Sequence, residues 1–400
     1  MKDKGKHVCR RWILVIVALA ALGHDTLAWA LEATISARYR GEAEGRFENT
    51  TPQASFCYRW PQNCQGVQTV GLPIEYTKTS ISRAPDARDQ FFVKLPSSRT
   101  VDVVNERGET HSLTFEITHV SQWVEGAPDV NPVFTSVANG GCQYKLTYGA
   151  AVLKRALYLW AVRNPSNPSA CWSTGQRTSP GDSIDSQVKD MGIAYSLKMP
   201  PPFKMKQGIY RGRMDFSVGP GADFDFGNGV TDLNDTSLTL NFELDVQHAF
   251  VMQFPPGSER AVLEPPGGWQ AWLGGRAAPP RLERDLPFRL WSTGPFKVYK
   301  KCSVQLGGGQ CGISNRDFDA LAVEVAIDLP PEVRYQGNPV RRLNVPTGVR
   351  SALGFEHMMP ASNRPANLHF EVSGPELDWL LKSPGETYEG VFTLVFESDL

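Results

Sequence analysis

Apolar and polar residues alternate with a period of two along most of this chain. The longest such run is SLTLNFELDVQHAFVMQF, 237–254, where Leu238, Leu240, Phe242, Leu244, Val246, Phe250, Met252 and Phe254 share one face. Successive side chains of a strand point to opposite sides, so this pattern predicts strands with one buried face. QFFVKL (90–95), HSLTFEITHV (111–120), GCQYKLTYGA (141–150) and AVEVAIDL (322–329) read the same way. So does GETYEGVFTLVFESDL, 385–400: Tyr388, Gly390, Phe392, Leu394, Phe396 and Leu400 fall on one face, and Glu389, Thr393, Glu397 and Asp399 on the other. No segment sustains a helical period over several turns. KRALYLWAVR, 154–163, suits a short helix or a buried strand equally. With 30 Pro and 36 Gly spread between the runs, the class expected is all-β and turn-rich, a β-sandwich.

A length of 400 residues suggests two domains, and an internal echo places the division. GIYRGRMDFSV, 208–218, matches GETYEGVFTLVF by a shared Tyr-x-Gly followed by alternating apolar positions, so Tyr210 and Tyr388 hold equivalent places. The acidic, turn-rich GPGADFDFGNGVTDLNDTS, 219–237, reads as a solvated linker after the first copy. The domains expected are thus 31–227 and 228–400. Asp223, Asp225, Asp232 and Asp235 do not form a calcium loop, because Gly227 takes the fifth position and no glutamate stands at the twelfth.

The first residues add a destination. Lys2, Lys4, Lys6, Arg10 and Arg11 precede the apolar WILVIVALAALG, 12–23, and Ala28-Trp29-Ala30 fits a cleavage site, so 1–30 reads as a signal peptide. The alternative is an uncleaved anchor. Of seven cysteines Cys9 leaves with the signal, and an even number in an exported chain argues for disulfides. Six cysteines permit 15 connectivities. The sequence-local pairing Cys57–Cys64, Cys142–Cys171 and Cys302–Cys311 is the expectation. The formal charge is −1 and basic residues are dispersed, so no nucleic-acid-binding stripe is present.

The terminal Tyr-x-Gly strand resembles the last strand of chaperone–usher pilus subunits. FELDVQHAFVMQFPPGSERAVLEPPGGW resembles the opening of the pilin domain in two-domain fimbrial tip adhesins. The likeness runs over 238–400, rests on GIYRG and DFDFG within 208–227, and is thin across 31–207. It implies two immunoglobulin-like sandwiches. The N-terminal one would bind a receptor, and the C-terminal one, of pilin type, would lack its last strand because the chain ends too early to supply it. It implies four partners: a periplasmic pilus chaperone, an outer-membrane usher, an adjacent pilus subunit donating a strand, and a host glycan or protein receptor. The setting implied is a pilus tip at the cell surface, reached through the periplasm. Phe392, Leu394 and Phe396 would line the chaperone and donor-strand groove, and the Leu400 carboxylate would meet basic chaperone residues.

Enzyme chemistry finds little in the residues. The histidines beyond the signal (His111, His119, His248, His357 and His369) stand in no H-E-x-x-H, and neither a G-x-S-x-G elbow nor a phosphate loop is present. No cofactor or metal is expected. Tyr58, Trp60, Trp123 and Trp172 are the receptor-binding candidates, with core packing the competing role for each. Two other functions compete with the tip adhesin. LEATISARY, 31–39, alternates as a donor strand of a non-tip pilus subunit would, and the compartment suits a secreted carbohydrate-active enzyme.

Overall fold

The computed structural model describes residues 31–41, 44–126, 135–150, 154–174, 179–272, 278–382 and 385–398. The expected signal peptide and Leu400 lie outside the described residues. The protein is all-β, and no described helix is long and apolar enough to cross a membrane.

The N-terminal strands that position the rest are β1 (Leu31–Tyr39), β2 (Arg99–Val104), β3 (Thr110–Gly126), β4 (Arg155–Val162), β5 (Ser183–Lys198), β6 (Gly208–Ser217) and β7 (Ser237–Val246). They belong to one 12-stranded sheet with the local order β5-β3-β2-β6-β7-β1, and β4 pairs with β3. KRALYLWAVR is therefore a strand, its buried Tyr158 and Trp160 filling the core. β7 is antiparallel to β6 along its whole length and parallel to β1 from Leu31↔Leu238 to Tyr39↔Val246. Both flanks of β7 are thus occupied. Its inward side chains Leu238, Leu240, Phe242, Leu244 and Val246 are at most 1% exposed.

The C-terminal half is built from β8 (Phe250–Gln253), β9 (Arg281–Ser292), β10 (Phe296–Cys302), β11 (Glu324–Asp328), β12 (Leu353–His357), β13 (Ala361–Ser373) and β14 (Phe392–Ser398). One five-stranded sheet contains β8-β9-β13-β11 and another contains β12-β10-β14. Leu290 and Leu368 of the first and Phe296, Val298 and Phe355 of the second share one core, separate from that of the N-terminal half. The cysteines are joined as Cys57–Cys64, Cys142–Cys171 and Cys302–Cys311, with Cα atoms 5.7, 5.3 and 5.8 Å apart.

The structure corrects three expectations. The run 237–254 is not one strand: β7 and β8 stand in different sheets and different cores, with His248 at the break. A division at 227/228 would cut β7 from the core it completes. The stretch 219–237 is not a solvated linker either: Phe224 and Phe226 are fully buried, and the Asp225 carboxylate takes two bonds from the Arg88 guanidinium at 2.6 and 3.0 Å. Burial pushes the Asp225 carboxyl up, but Arg88 and the backbone amides of Gly221 and Gly227 outweigh it and hold the group below its usual range. Finally, LEATISARY is seated in its own sheet, with Ala33, Ile35, Ala37 and Tyr39 buried.

Candidate functional site

The glycines of the two Tyr-x-Gly motifs do the same physical work. A Cβ on Gly212 would stand 2.8 Å from the Asp102 carbonyl oxygen, and one on Gly390 would stand 2.7 Å from that of Gly312. Each lets a neighbouring backbone come closer than any side chain permits. The tyrosines diverge. Tyr210 is buried, its hydroxyl 2.5 Å from Glu109 Oε2 and 2.9 Å from the Lys206 carbonyl oxygen. Tyr388 is half-buried, donating to Glu386 at 3.0 Å and accepting from Asn315 at 3.3 Å.

Downstream of the motifs the difference widens. In β6, Met214 and Phe216 are buried. In β14, Phe392, Leu394 and Phe396 are only half-buried. β14 pairs on one side with β10, from Cys302↔Phe392 to Phe296↔Ser398. Along its other edge no strand is present among the described residues. A groove of about 1150 Å³ opens there. Phe392, Leu394 and Phe396 form one wall, Met252 and Phe254 contribute to the opposite wall, and Leu282, Leu286, Leu368, Phe370 and Val372 lie beneath. Phe396 approaches Phe250 and Phe288, each with ring centroids 6.2 Å apart. Ser258–Leu263, Trp269 and Tyr388 complete the lining.

The three described groove residues expected from sequence are thus brought together on one wall. The floor of β9 and β13 residues was missed. Its signal was present in the alternating RLERDLPFRL and NLHFEV, but alternation says that a face is covered, not by what.

The receptor candidates separate. Tyr58 is 89% exposed, whereas Trp60 is buried in a small satellite core with Phe56, the Cys57–Cys64 disulfide, Leu157 and Leu159. Trp123 is half-buried beside that core. Trp172 packs far from it in sequence, on a three-stranded sheet, over Gly140, where a Cβ would lie 2.2 Å from the indole. Among the described residues no group of three metal-ligating side chains converges.

No family model and no curated protein matches the sequence. Solved structures with similarity to this chain include CfaE, the adhesive subunit of CFA/I fimbria of enterotoxigenic Escherichia coli. That match has 10% identity, covers 91% of this chain and 92% of that one, and has a TM-score of 0.26. Another is the CsuC–CsuE chaperone–tip adhesion subunit pre-assembly complex from archaic chaperone–usher Csu pili of Acinetobacter baumannii. It matches at 9% identity over 92% of this chain and 99% of that one, with a TM-score of 0.21. A chaperone–tip adhesin complex of CFA/I fimbriae biogenesis matches at 11% identity over 81% of this chain and 84% of that one, with a TM-score of 0.25. At such TM-scores the likenesses carry no functional weight. The groove and its edge strand do.

Proposed function

We propose that the groove beside β14 seats a β-strand from another polypeptide and that the protein is a fimbrial tip adhesin. One observation carries this reading: β6 pairs with β7 on one flank and β2 on the other, whereas β14, bearing the same Tyr-x-Gly lead-in, pairs with β10 alone and has an apolar groove along its other edge. An open strand edge beside bare core side chains is both a template for strand addition and an aggregation hazard. A strand seated as β7 is seated would run antiparallel to β14 and present alternate apolar residues to Leu282, Leu368 and Phe370. The resemblance of the end motif to pilus subunits supports the identity of the donors: a periplasmic chaperone first, then the adjacent subunit at the usher. The N-terminal half, with its own closed core, is then free to carry a receptor-binding surface, and the functional division falls near His248 rather than at 227/228.

The test is a graft. The full chain, extended past Leu400 by a flexible linker and the sequence SLTLNFELDV, should purify as a monomer that melts cooperatively, since the strand binds intramolecularly at an effective concentration on the order of mM. The unextended chain, expressed without a chaperone, should aggregate or bind hydrophobic dyes. An unextended chain that is monomeric, melts cooperatively in both halves and ignores added strand peptides would end this reading.

A further inference from the structure

A second surface stands on the N-terminal half. The Cys57–Cys64 loop is stapled to the outer face of β3, β4 and β5 by Phe56 and Trp60. Gly192 of β5 makes room, since a Cβ there would come within 2.9 Å of the Phe56 ring. Along the rim of this loop the side chains form a ladder. The Arg59 guanidinium lies 3.6 Å above the Tyr148 ring; Tyr148 meets Trp123 edge to face at 6.3 Å; the Arg155 guanidinium lies 5.2 Å from the Trp123 ring. A guanidinium held against a ring keeps its N–H edge directed outward, preset for a planar anion.

The two guanidiniums differ in their surroundings. Arg59 is exposed and has no carboxylate partner among the described residues. Arg155 forms a long ion pair with Glu125 at 4.0 Å, and its buried Nε has no hydrogen-bond partner. Glu125 is already engaged by Lys189 at 3.2 Å. The fully exposed ring of Tyr58 stands next to Arg59 in the chain.

The position matters as much as the chemistry. β3 begins at Thr110, opposite Val104, which pairs with Arg211 at the end of β6 that lies towards the C-terminal half. There His248 meets the Met205 carbonyl oxygen at 2.8 Å. From Thr110 to Trp123 the strand covers about 40 Å at roughly 3.3 Å per residue. The ladder therefore sits at the pole of the N-terminal half remote from the groove.

We infer that the Arg59–Tyr148–Trp123–Arg155 ladder, with Tyr58, is a binding surface for an acidic carbohydrate, one bearing carboxylates or sulfates. This rests on the adhesin reading. Phe56 and Trp60 are buried, so the strip lacks the apolar centre that a protein partner would need. What it offers is the open fork of Arg59, a second guanidinium on Arg155 that is only loosely paired, and one open ring for a sugar face, a combination suited to acidic saccharides.

Calorimetry on the full chain, carrying the strand graft or, should the unextended chain prove monomeric, without it, tests the inference with sialyllactose, a heparin-derived hexasaccharide and neutral lactose as probes. Binding is expected to one or both acidic sugars and not to lactose, and to weaken steeply with salt. Arg59→Gln and Arg155→Gln should each lower affinity by about tenfold and Arg59→Lys should not restore it, because the planar fork is lost. Tyr58→Ala, at a fully exposed position, should weaken binding without changing the melting temperature. No binding to either acidic sugar, affinity unchanged in the double Arg variant, or equal affinity for a poly-glutamate peptide would each overturn the inference. Failure of the strand graft with sugar binding intact would count against the groove alone; failure here with the graft intact would count against the ladder alone.

Discussion

The β6 and β14 regions are two uses of one local pattern. Each begins Tyr-x-Gly, each needs the glycine for a close backbone approach, and each follows with alternate apolar residues. In the N-terminal half β7 lies against β6 and is itself closed by β1, so Tyr210 and Phe216 are buried. In the C-terminal half one flank of β14 is a groove, and Tyr388, Phe392, Leu394 and Phe396 remain half-exposed. The lesson is that burial of a strand belongs to its neighbours. Nothing within β14 makes it an edge.

The comparison breaks most visibly at the groove wall. Leu394→Ser with Phe396→Ser should abolish capture of a strand, by chaperone or by graft, because each such side chain contributes roughly 2 kcal/mol on full burial and the hydroxyls would be buried unpaired. Pull-down from the periplasm and thermal melting of the grafted chain would measure it; retained capture would place the binding elsewhere.

Next in size is a matched pair of truncations. Phe242→Ala in the closed core should cost about 3–5 kcal/mol. Phe396→Ala should cost clearly less in the ungrafted chain, because its ring is already half in water, and approach the larger value once a strand is seated. Urea unfolding of these variants beside their grafted and ungrafted parents gives the comparison. Equal costs in both states would mean that the groove does not fill.

Within the N-terminal half, Asp225→Ala should remove about 2–3 kcal/mol, because the bonds Asp225 accepts from Arg88 and the Gly227 amide are lost while Arg88, itself partly exposed, can turn to water. The Asp225 carboxyl is held below its usual value, so its contribution is present above the unfolded pKa and is lost as pH falls through the folded one. The loss should therefore appear only in strong acid, below pH ~4.

The smallest effect concerns the junction between the halves. His357, only 2% exposed, is held by burial and by nearby His248 at a pKa of about 4 against an ordinary 6.5. Its unfolded form takes up a proton first, so stability is full above pH ~6.5 and declines towards pH ~4, by about 2 kcal/mol between pH 6.5 and 5. His357→Gln should flatten that slope in urea titrations at the two pH values. An unchanged slope would assign it to other groups.

Much of this was legible in the chain. Alternation determined that 237–246 and 392–398 are strands and which side chains face inward, because side-chain direction in a strand is a local, period-two property. It did not determine where those strands go. Leu238 pairs with Leu31, some two hundred residues away, and no local signal distinguishes that partner from one in the following domain. Hence β7, read as the opening of the second half, proves to be the strand that closes the first. The same limit applies to single residues. Tyr58 and Trp60 stand two positions apart, yet one is in water and the other in a core, because that depends on how the disulfide loop lies on β4 and β5. The groove is the strongest case: its wall was readable in Phe392, Leu394 and Phe396, while its floor and open flank exist only where β8, β9, β13 and β14 converge. Inward direction is set by backbone geometry within a few residues, whereas what meets an inward face is set by pairings across the whole chain.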